Sequence, residues 1–183
     1  MKVIEGGVCA AKGFLANGIH CGIRKNHSKK DLALIVSQVK ASAAAVYTTN
    51  LVKGAPLAVT RKNIADGKAQ AVICNSGNAN TCNANGIEVA QAMCDLVAKV
   101  SGIDDSDVVV ASTGVIGQPL DITPIAEGME QLHAGLSLTG GQNAAEAIMT
   151  TDIVMKEIAV ELEVLKVRVG VPQPHQPLDC AYR

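Results

Sequence analysis

Aromatic residues are almost missing from this chain: of 183 residues one is Phe, two are Tyr and none is Trp. The core must then be built from Ala, Val, Ile and Leu. A stacking platform for single-stranded nucleic acid, which needs aromatic faces, is excluded. An excess of charge is missing too. Sixteen Lys and Arg against seventeen Asp and Glu leave a net charge of −1, so no broad basic surface for nucleic acid is expected. The one basic run, RKNHSKK at 24–30, reads as a solvated loop, with a phosphate contact as the alternative. No stretch approaches the roughly 18 consecutive apolar residues of a membrane helix. The start, MKVIEGGVCA, lacks the apolar run of a signal peptide. No membrane association and a cytoplasmic location are therefore expected. Six cysteines (Cys9, Cys21, Cys74, Cys82, Cys94, Cys180) form no CxxC pair, and in a reducing compartment they read as small buried hydrophobes. Four histidines (His20, His27, His133, His175) are scattered without ligand spacing, so no metal site is expected.

What is present is apolar residues, at 48% of the chain, enough to exclude disorder and to fill the core of one domain. DLALIVSQV (31–39) and SAAAVYTTN (42–50) read as two strands, joined at Lys40-Ala41 as an antiparallel hairpin. APLAVTRKNIADG (55–67) reads as a helix with Leu57, Ile64 and Ala65 on its inner face and Gly67 at its stop. AQAVIC (69–74) is a strand. Residues 85–100 give the clearest helix: Asn85 and Glu88 make a capping box, and Val89, Met93, Leu96, Val97 and Val100 share one face. SDVVVAST (106–113) is a buried strand. DITPIAEGMEQLHAGL (121–136) is a helix capped by Thr123, with Pro124 in its first turn and Ile125, Met129, Leu132 and Leu136 as its stripe. A short helix follows the Gly140-Gly141 pair, and two strands fill 156–170. Helices and strands mix without a strict βαβ rhythm, which implies an α/β fold of the α+β kind with mixed sheets.

Four stretches could carry chemistry. In ASTGVIG (111–117) a buried strand ends at Ser112, Thr113 and Gly114. Backbone N–H groups at such an end can hold a developing oxyanion, and a plain strand-to-loop turn is the alternative. In AIMTTDI (147–153) the threonines could bond a polar substrate or simply end a helix. GGQNAAEA (140–147) could offer a helix N-terminus to a phosphate, but it lacks both nucleotide-loop spacings, so no cofactor is expected. Ser76, Ser112, His133 and Asp152 exist as parts of a serine triad, but no GxSxG elbow does. A fifth stretch, ICNSGNANTCNANG (73–86), could be a metal or disulfide loop, a turn, or the wall of a site.

Together KGFLANGIHCGIRKN, DLALIVS, AAAVYTTNLVKGAPL, VICNSGNANTC, VVVASTGVIGQPL and EAIMTTD resemble, in order, the α-chain part of the bifunctional ornithine acetyltransferase (glutamate N-acetyltransferase) family of arginine biosynthesis. The resemblance covers roughly residues 6–164. It implies a layered sandwich of the self-cleaving aminopeptidase type, incomplete without a β chain, in a precursor that cuts itself before a threonine. That threonine, the first residue of the β chain, is the nucleophile. It takes acetyl from N-acetylornithine and passes it to glutamate; some members also accept acetyl-CoA. By motif match the oxyanion hole falls on Thr113 and Gly114, and substrate binding on Thr150 or Thr151. Asn75, Ser76 and Asn78 are expected to brace the oxyanion strand. An α2β2 assembly is implied, with exposed apolar surface and strand edges on this chain when alone.

The resemblance fades at KVRVG (166–170). GVPQPHQPLDCAYR (170–183) is proline-rich and aperiodic, and reads as a disordered or frameshifted tail outside the 1–169 domain. The family's substrate-binding Lys, its cleavage point and its nucleophile have no match in this chain. Ile153 stands where the family commonly has Thr. The chain alone is therefore expected to be inactive. The alternative is a catalytically dead fragment that only binds ligand or a β chain. An unrelated self-cleaving threonine amidohydrolase would not be expected to share all six stretches.

Overall fold

The computed structural model describes residues 1–164 and 167–173. Along the chain lie β1 (Lys2–Ile4), β2 (Phe14–Ile19), β3 (Leu32–Ser42), α1 (Ala55–Asn63), β4 (Lys68–Asn75), α2 (Gly86–Ser101), β5 (Val108–Ser112), α3 (Thr123–Ala134), α4 (Gly141–Ala147), β6 (Ile158–Val164) and β7 (Val167–Gln173). Two sheets form, in the orders β2-β3-β4-β5 and β1-β6-β7. The four-stranded sheet is mixed: β3 runs antiparallel to β2 and β4, and β5 runs parallel to β4. The α/β fold with mixed sheets is therefore observed.

The main core lies on one face of that sheet. Leu32 and Leu34 of β3, Ile73 of β4 and Val108 of β5 point there, against Val89, Met93 and Val97 of α2 and Ile125, Met129 and Leu132 of α3. The alternation in the strands and the helical stripes in α2 and α3 put these side chains on matching faces. On the opposite face α4 packs closely on β2 and β3 through small residues, Ala16, Ala33, Ala144 and Ala147. An added Cβ at Gly18 would lie 2.1 Å from the Asn143 carbonyl oxygen, so this approach depends on the absent side chain.

Several expectations fail for physical reasons. The hairpin across Lys40-Ala41 does not form: β3 continues to Ser42, with a register shift against β4 between Val36 and Ala41, and is flanked by β2 along Leu32 to Ser37 and by β4. Residues 43–50 have no regular structure despite their strand formers, because strand propensity without a paired neighbour does not make a strand. Helix α1 turns Val59, Thr60 and Asn63 inward and leaves Leu57, Ile64 and Ala65 partly or fully exposed. Thr60 and Asn63 hold this face by donating to the carbonyls of Val110 and Val108. Asn85 does stand at the N-cap of α2, but its side chain makes no cap hydrogen bond, so the box with Glu88 does not close. Thr123 is the first residue of α3 rather than its cap, and its N–H is taken by the Asp121 carboxylate at 2.9 Å.

The tail expected from residue 170 begins inside an element. Gly170 to Gln173 continue β7, which pairs antiparallel with β6. Among the described strands β7 lies at the edge of its sheet, where a residue without an N–H, such as Pro172, is tolerated. The remainder of the tail, 174–183, lies outside the described residues. Among the described cysteines Cys74 and Cys94 are buried, whereas Cys82 is exposed, so burial is not their common role. No described helix is long and apolar enough to cross a membrane.

Candidate functional site

The parallel pair β4 and β5 ends with Asn75 opposite Ser112. Both chains leave the sheet at that end, and their next residues interlock. The Thr113 N–H donates to the Asn75 carbonyl (2.9 Å), Val115 to Gly77 (3.3 Å), Ala79 to Val115 (2.9 Å) and Gly117 to Thr81 (2.9 Å). Gly114 adopts φ +136, and an added Cβ there would lie 2.3 Å from the Gly77 carbonyl carbon. Only glycine gives both that dihedral and that approach.

The asparagine loop is built to hold this turn. Asn75 is fully buried and its Nδ2 donates to the Asn78 carbonyl at 2.9 Å. Asn78 Nδ2 donates to the carbonyls of Gln118 (3.0 Å) and Pro119 (3.2 Å), and its Oδ1 accepts from the Asn80 N–H. Ser76 Oγ donates to the Ala147 carbonyl at 2.6 Å, at the end of α4. The loop lies directly against the strand-end turn. Among the described residues no group of three His, Cys, Asp or Glu side chains is placed to hold a metal.

Thr113 and Gly114 thus sit together at a strand end, partly exposed. The Thr113 N–H is spent on Asn75. The Gly114 N–H and the Thr113 hydroxyl make no hydrogen bond of ordinary geometry among the described residues. They are two donors available to a developing negative oxygen. Thr150 is half-buried and Thr151 exposed in the segment that follows α4. Ser76 and Arg24 tie this segment to the turn: the Arg24 guanidinium donates through Nη2 to the Met149 carbonyl.

Arg24 and Asp31 are the two residues the sequence reading passed over. Asp31, fully buried, accepts from the N–H groups of Cys21 (2.7 Å), Gly22 (3.3 Å) and Arg24 (2.9 Å) and lies 3.2 Å from His20 Nδ1. Burial, and then the Asp31 charge, push the Cys21 thiol up to about 12. Burial pulls the Arg24 guanidinium below its ordinary value, and Asp31 opposes that. The basic run at 24–30 is therefore not one solvated loop. Lys25 to Lys29 are exposed, but Lys30 bonds Asn143 and Glu146 of α4 and Arg24 turns inward. A separate groove of about 910 Å³ lies between the 47–61 segment and the start of α2, lined by Tyr47, Lys53, Arg61 and Asn85 among others; it contains none of these candidate residues.

Known proteins share this arrangement of strands and helices. The arginine biosynthesis bifunctional protein ArgJ of Caldanaerobacter subterraneus subsp. tengcongensis is 47% identical over 165 residues, which are 90% of this chain but 40% of that protein. The ArgJ of Symbiobacterium thermophilum is 48% identical over 166 residues, again 90% of this chain and 41% of the relative. The chain therefore spans about 40% of the length of the curated relatives it matches. The crystal structure of ArgJ from Bacillus halodurans superposes with a TM-score of 0.86 at 43% identity, covering 93% of this chain and 90% of that one. Ornithine acetyltransferase from Mycobacterium tuberculosis, solved with ornithine, gives a TM-score of 0.81 at 34% identity and covers 92% of both chains. The family profile of ArgJ matches residues 15–172, and with these likenesses it shows that the chain belongs to the ArgJ family.

Proposed function

We propose that this chain is the α part of an acetyltransferase that moves acetyl from N-acetylornithine to glutamate, and that it supplies the oxyanion hole. The observation that carries this reading is the pair of donors at the end of β5: the Thr113 hydroxyl and the Gly114 N–H, which make no hydrogen bond of ordinary geometry among the described residues and lie against the Asn75–Asn78 loop. Preorganised donors that wait for a developing charge lower the barrier of acyl transfer more than flexible ones. The chain spans about 40% of its curated relatives yet nine-tenths of a solved ArgJ chain. That supports a precursor divided into an α and a β chain, with a partner that brings the nucleophile.

In this reading the hydroxyl of the β chain's first threonine attacks the acetyl carbonyl, and the threonine's own amine takes the hydroxyl proton. The carbonyl oxygen gains the negative charge and is held by Thr113 and Gly114. The C–N bond breaks, ornithine leaves with the proton, and acetyl stays on the threonine as an ester. The amine of glutamate then attacks that ester and regenerates the hydroxyl. Thr150, with Thr151 as the second choice, contacts the acylated amino acid. Asn75, Ser76 and Asn78 hold the turn and do not touch the reacting atoms. An α2β2 assembly and a cytoplasmic location belong to the same reading, and acetyl-CoA is a second acetyl donor to assay.

The test combines the chain with an ArgJ β chain and follows acetyl transfer from N-acetylornithine to glutamate. Thr113→Val keeps the shape and removes the hydroxyl; kcat should fall about a hundredfold, the usual effect of losing one oxyanion donor. Thr113→Ser should keep most of the rate. Full turnover by the valine variant would overturn the assignment, and turnover by the 183-residue chain without a β chain would overturn the division of labour.

A further inference from the structure

We propose that Arg24 is a positioning residue that fixes the 149–151 segment against the Thr113–Gly114 turn; this rests on reading those two places as the two sides of one site. Three contacts carry it. The Arg24 backbone N–H is held by buried Asp31 at 2.9 Å. Its stem crosses Gly77, where an added Cβ would lie 2.9 Å from Arg24 Cγ. Its guanidinium then donates to the Met149 carbonyl, one residue before Thr150. On its other side Gly77 is packed against Gly114, where an added Cβ would lie 2.7 Å from the Gly77 oxygen. The order is Met149, Arg24, Gly77, Gly114, with no slack between layers.

Stability does not explain this placement. Arg24 Nε is buried and makes no hydrogen bond among the described residues. Arg24 as a whole is half-buried, but its buried unmet donor is a cost that a hydrophobic side chain of the same length over Gly77 would not carry. What a hydrophobic side chain cannot do is hold the Met149 carbonyl while its root is fixed by Asp31. The planar fork of arginine does this with fewer degrees of freedom than lysine. Ser76 supports the same junction two residues earlier, through the Ala147 carbonyl. A rigid span between substrate contact and oxyanion donors is what acyl transfer needs, because small misplacements are costly in rate.

The test has two arms. In the 183-residue chain, amide exchange is compared for wild type, Arg24→Met and Arg24→Lys. In the methionine variant the amides of Ile148 and Met149 and those of Ala79, Thr113 and Val115 should exchange about tenfold faster, while β3 and central β4 keep their protection. Lysine should restore part of the protection. Change at 148–149 alone, or nowhere, overturns the proposal. If the methionine variant does not fold, lysine alone decides: it should loosen both places to a smaller degree, and wild-type protection at both overturns the proposal. In the complex with a β chain, Arg24→Met should raise KM for N-acetylornithine about fivefold in addition to lowering kcat, because loss of folded protein lowers only kcat. An unchanged KM also overturns it. A wild-type complex without acetyl transfer would instead refute the proposed function, and the exchange arm would still decide the role of Arg24.

Discussion

The Asn75 carbonyl accepts the Thr113 N–H at 2.9 Å, the last rung between β4 and β5. One residue further, Gly114 turns away at φ +136. The rung decides which groups of the turn are available. It consumes the backbone donor of Thr113, so that residue can offer only its hydroxyl, and it fixes where the Gly114 N–H begins. The asparagine loop is the other half of this relationship, since the carbonyl that takes the Thr113 proton belongs to its first asparagine.

Asn75 and Asn78 should therefore differ in what their loss does. Asn75→Ala removes a fully buried side chain and leaves the Asn78 carbonyl without its donor. Leaving a buried acceptor unpaired costs about 1–3 kcal/mol, and urea denaturation should show a loss of that size. Asn78→Ala frees the Gln118 and Pro119 carbonyls near the surface and leaves the N–H of fully buried Asn80 without its acceptor. It should cost a similar amount in stability and also lower acetyl transfer by the assembled enzyme about tenfold without abolishing it. Wild-type turnover in Asn78→Ala would show that the loop holds nothing the reaction uses.

Two glycines of the same turn separate space from dihedral. At Gly114 a methyl group would strike the backbone of Gly77 and Asn78, at 2.3 and 2.5 Å; at Gly117, φ +76, nothing lies within 4 Å. Gly117→Ala should cost about 1 kcal/mol, the ordinary price of a left-handed residue. Gly114→Ala should cost at least twice that and should remove activity, because the turn must open. Melting curves of the two variants test this, and equal costs would mean that the strand-end loops are not locked together.

Burial keeps the Cys94 thiol protonated up to about 12, with Asp95 and Asp105 adding to the effect. In the unfolded chain a thiol ionises near 8.5. The unfolded state then binds fewer protons than the native state between these values. Stability is therefore full below about pH 8.5 and falls as pH rises toward 12, by up to about 1.4 kcal/mol per pH unit for this one thiol. Denaturation midpoints measured from pH 7 to 10.5 should fall, and Cys94→Ala should lessen the fall after its own cavity cost is subtracted, with the Cys21 thiol keeping its share. At pH 8 iodoacetamide should label exposed Cys82 and spare Cys94, as peptide mass mapping can read.

The parts legible in the sequence are those whose signal is local. The stripe of Val89, Met93 and Val97 and that of Ile125, Met129 and Leu132 are periodicities within one helix, and both are buried as expected. Ser42 belongs to β3, whereas residues 43–50 form no strand; Tyr47, Thr48 and Thr49 have the side chains of a strand, but propensity alone does not supply a paired neighbour. Thr113 and Gly114 stood out because a glycine at a strand end is visible in one line of sequence. Arg24 was hidden in a run of charges, and its partner carbonyl lies 125 residues away. No pattern within RKNHSKK distinguishes the one side chain that turns inward.

Thr150 and Thr151 were equivalent in the sequence and are not equivalent in the fold. Thr150 is half-buried and follows directly on Met149, whose carbonyl Arg24 holds; Thr151 is exposed. A residue anchored through its neighbour presents its side chain in a narrow range of positions, whereas an exposed one loses conformational entropy on meeting a ligand. Thr150→Val should then raise KM for N-acetylornithine in the assembled enzyme about tenfold, the loss of one hydrogen bond to a bound substrate. Thr151→Val should leave KM within about a factor of two. The reverse order would move the contact to Thr151 and would remove the functional reason for anchoring Met149.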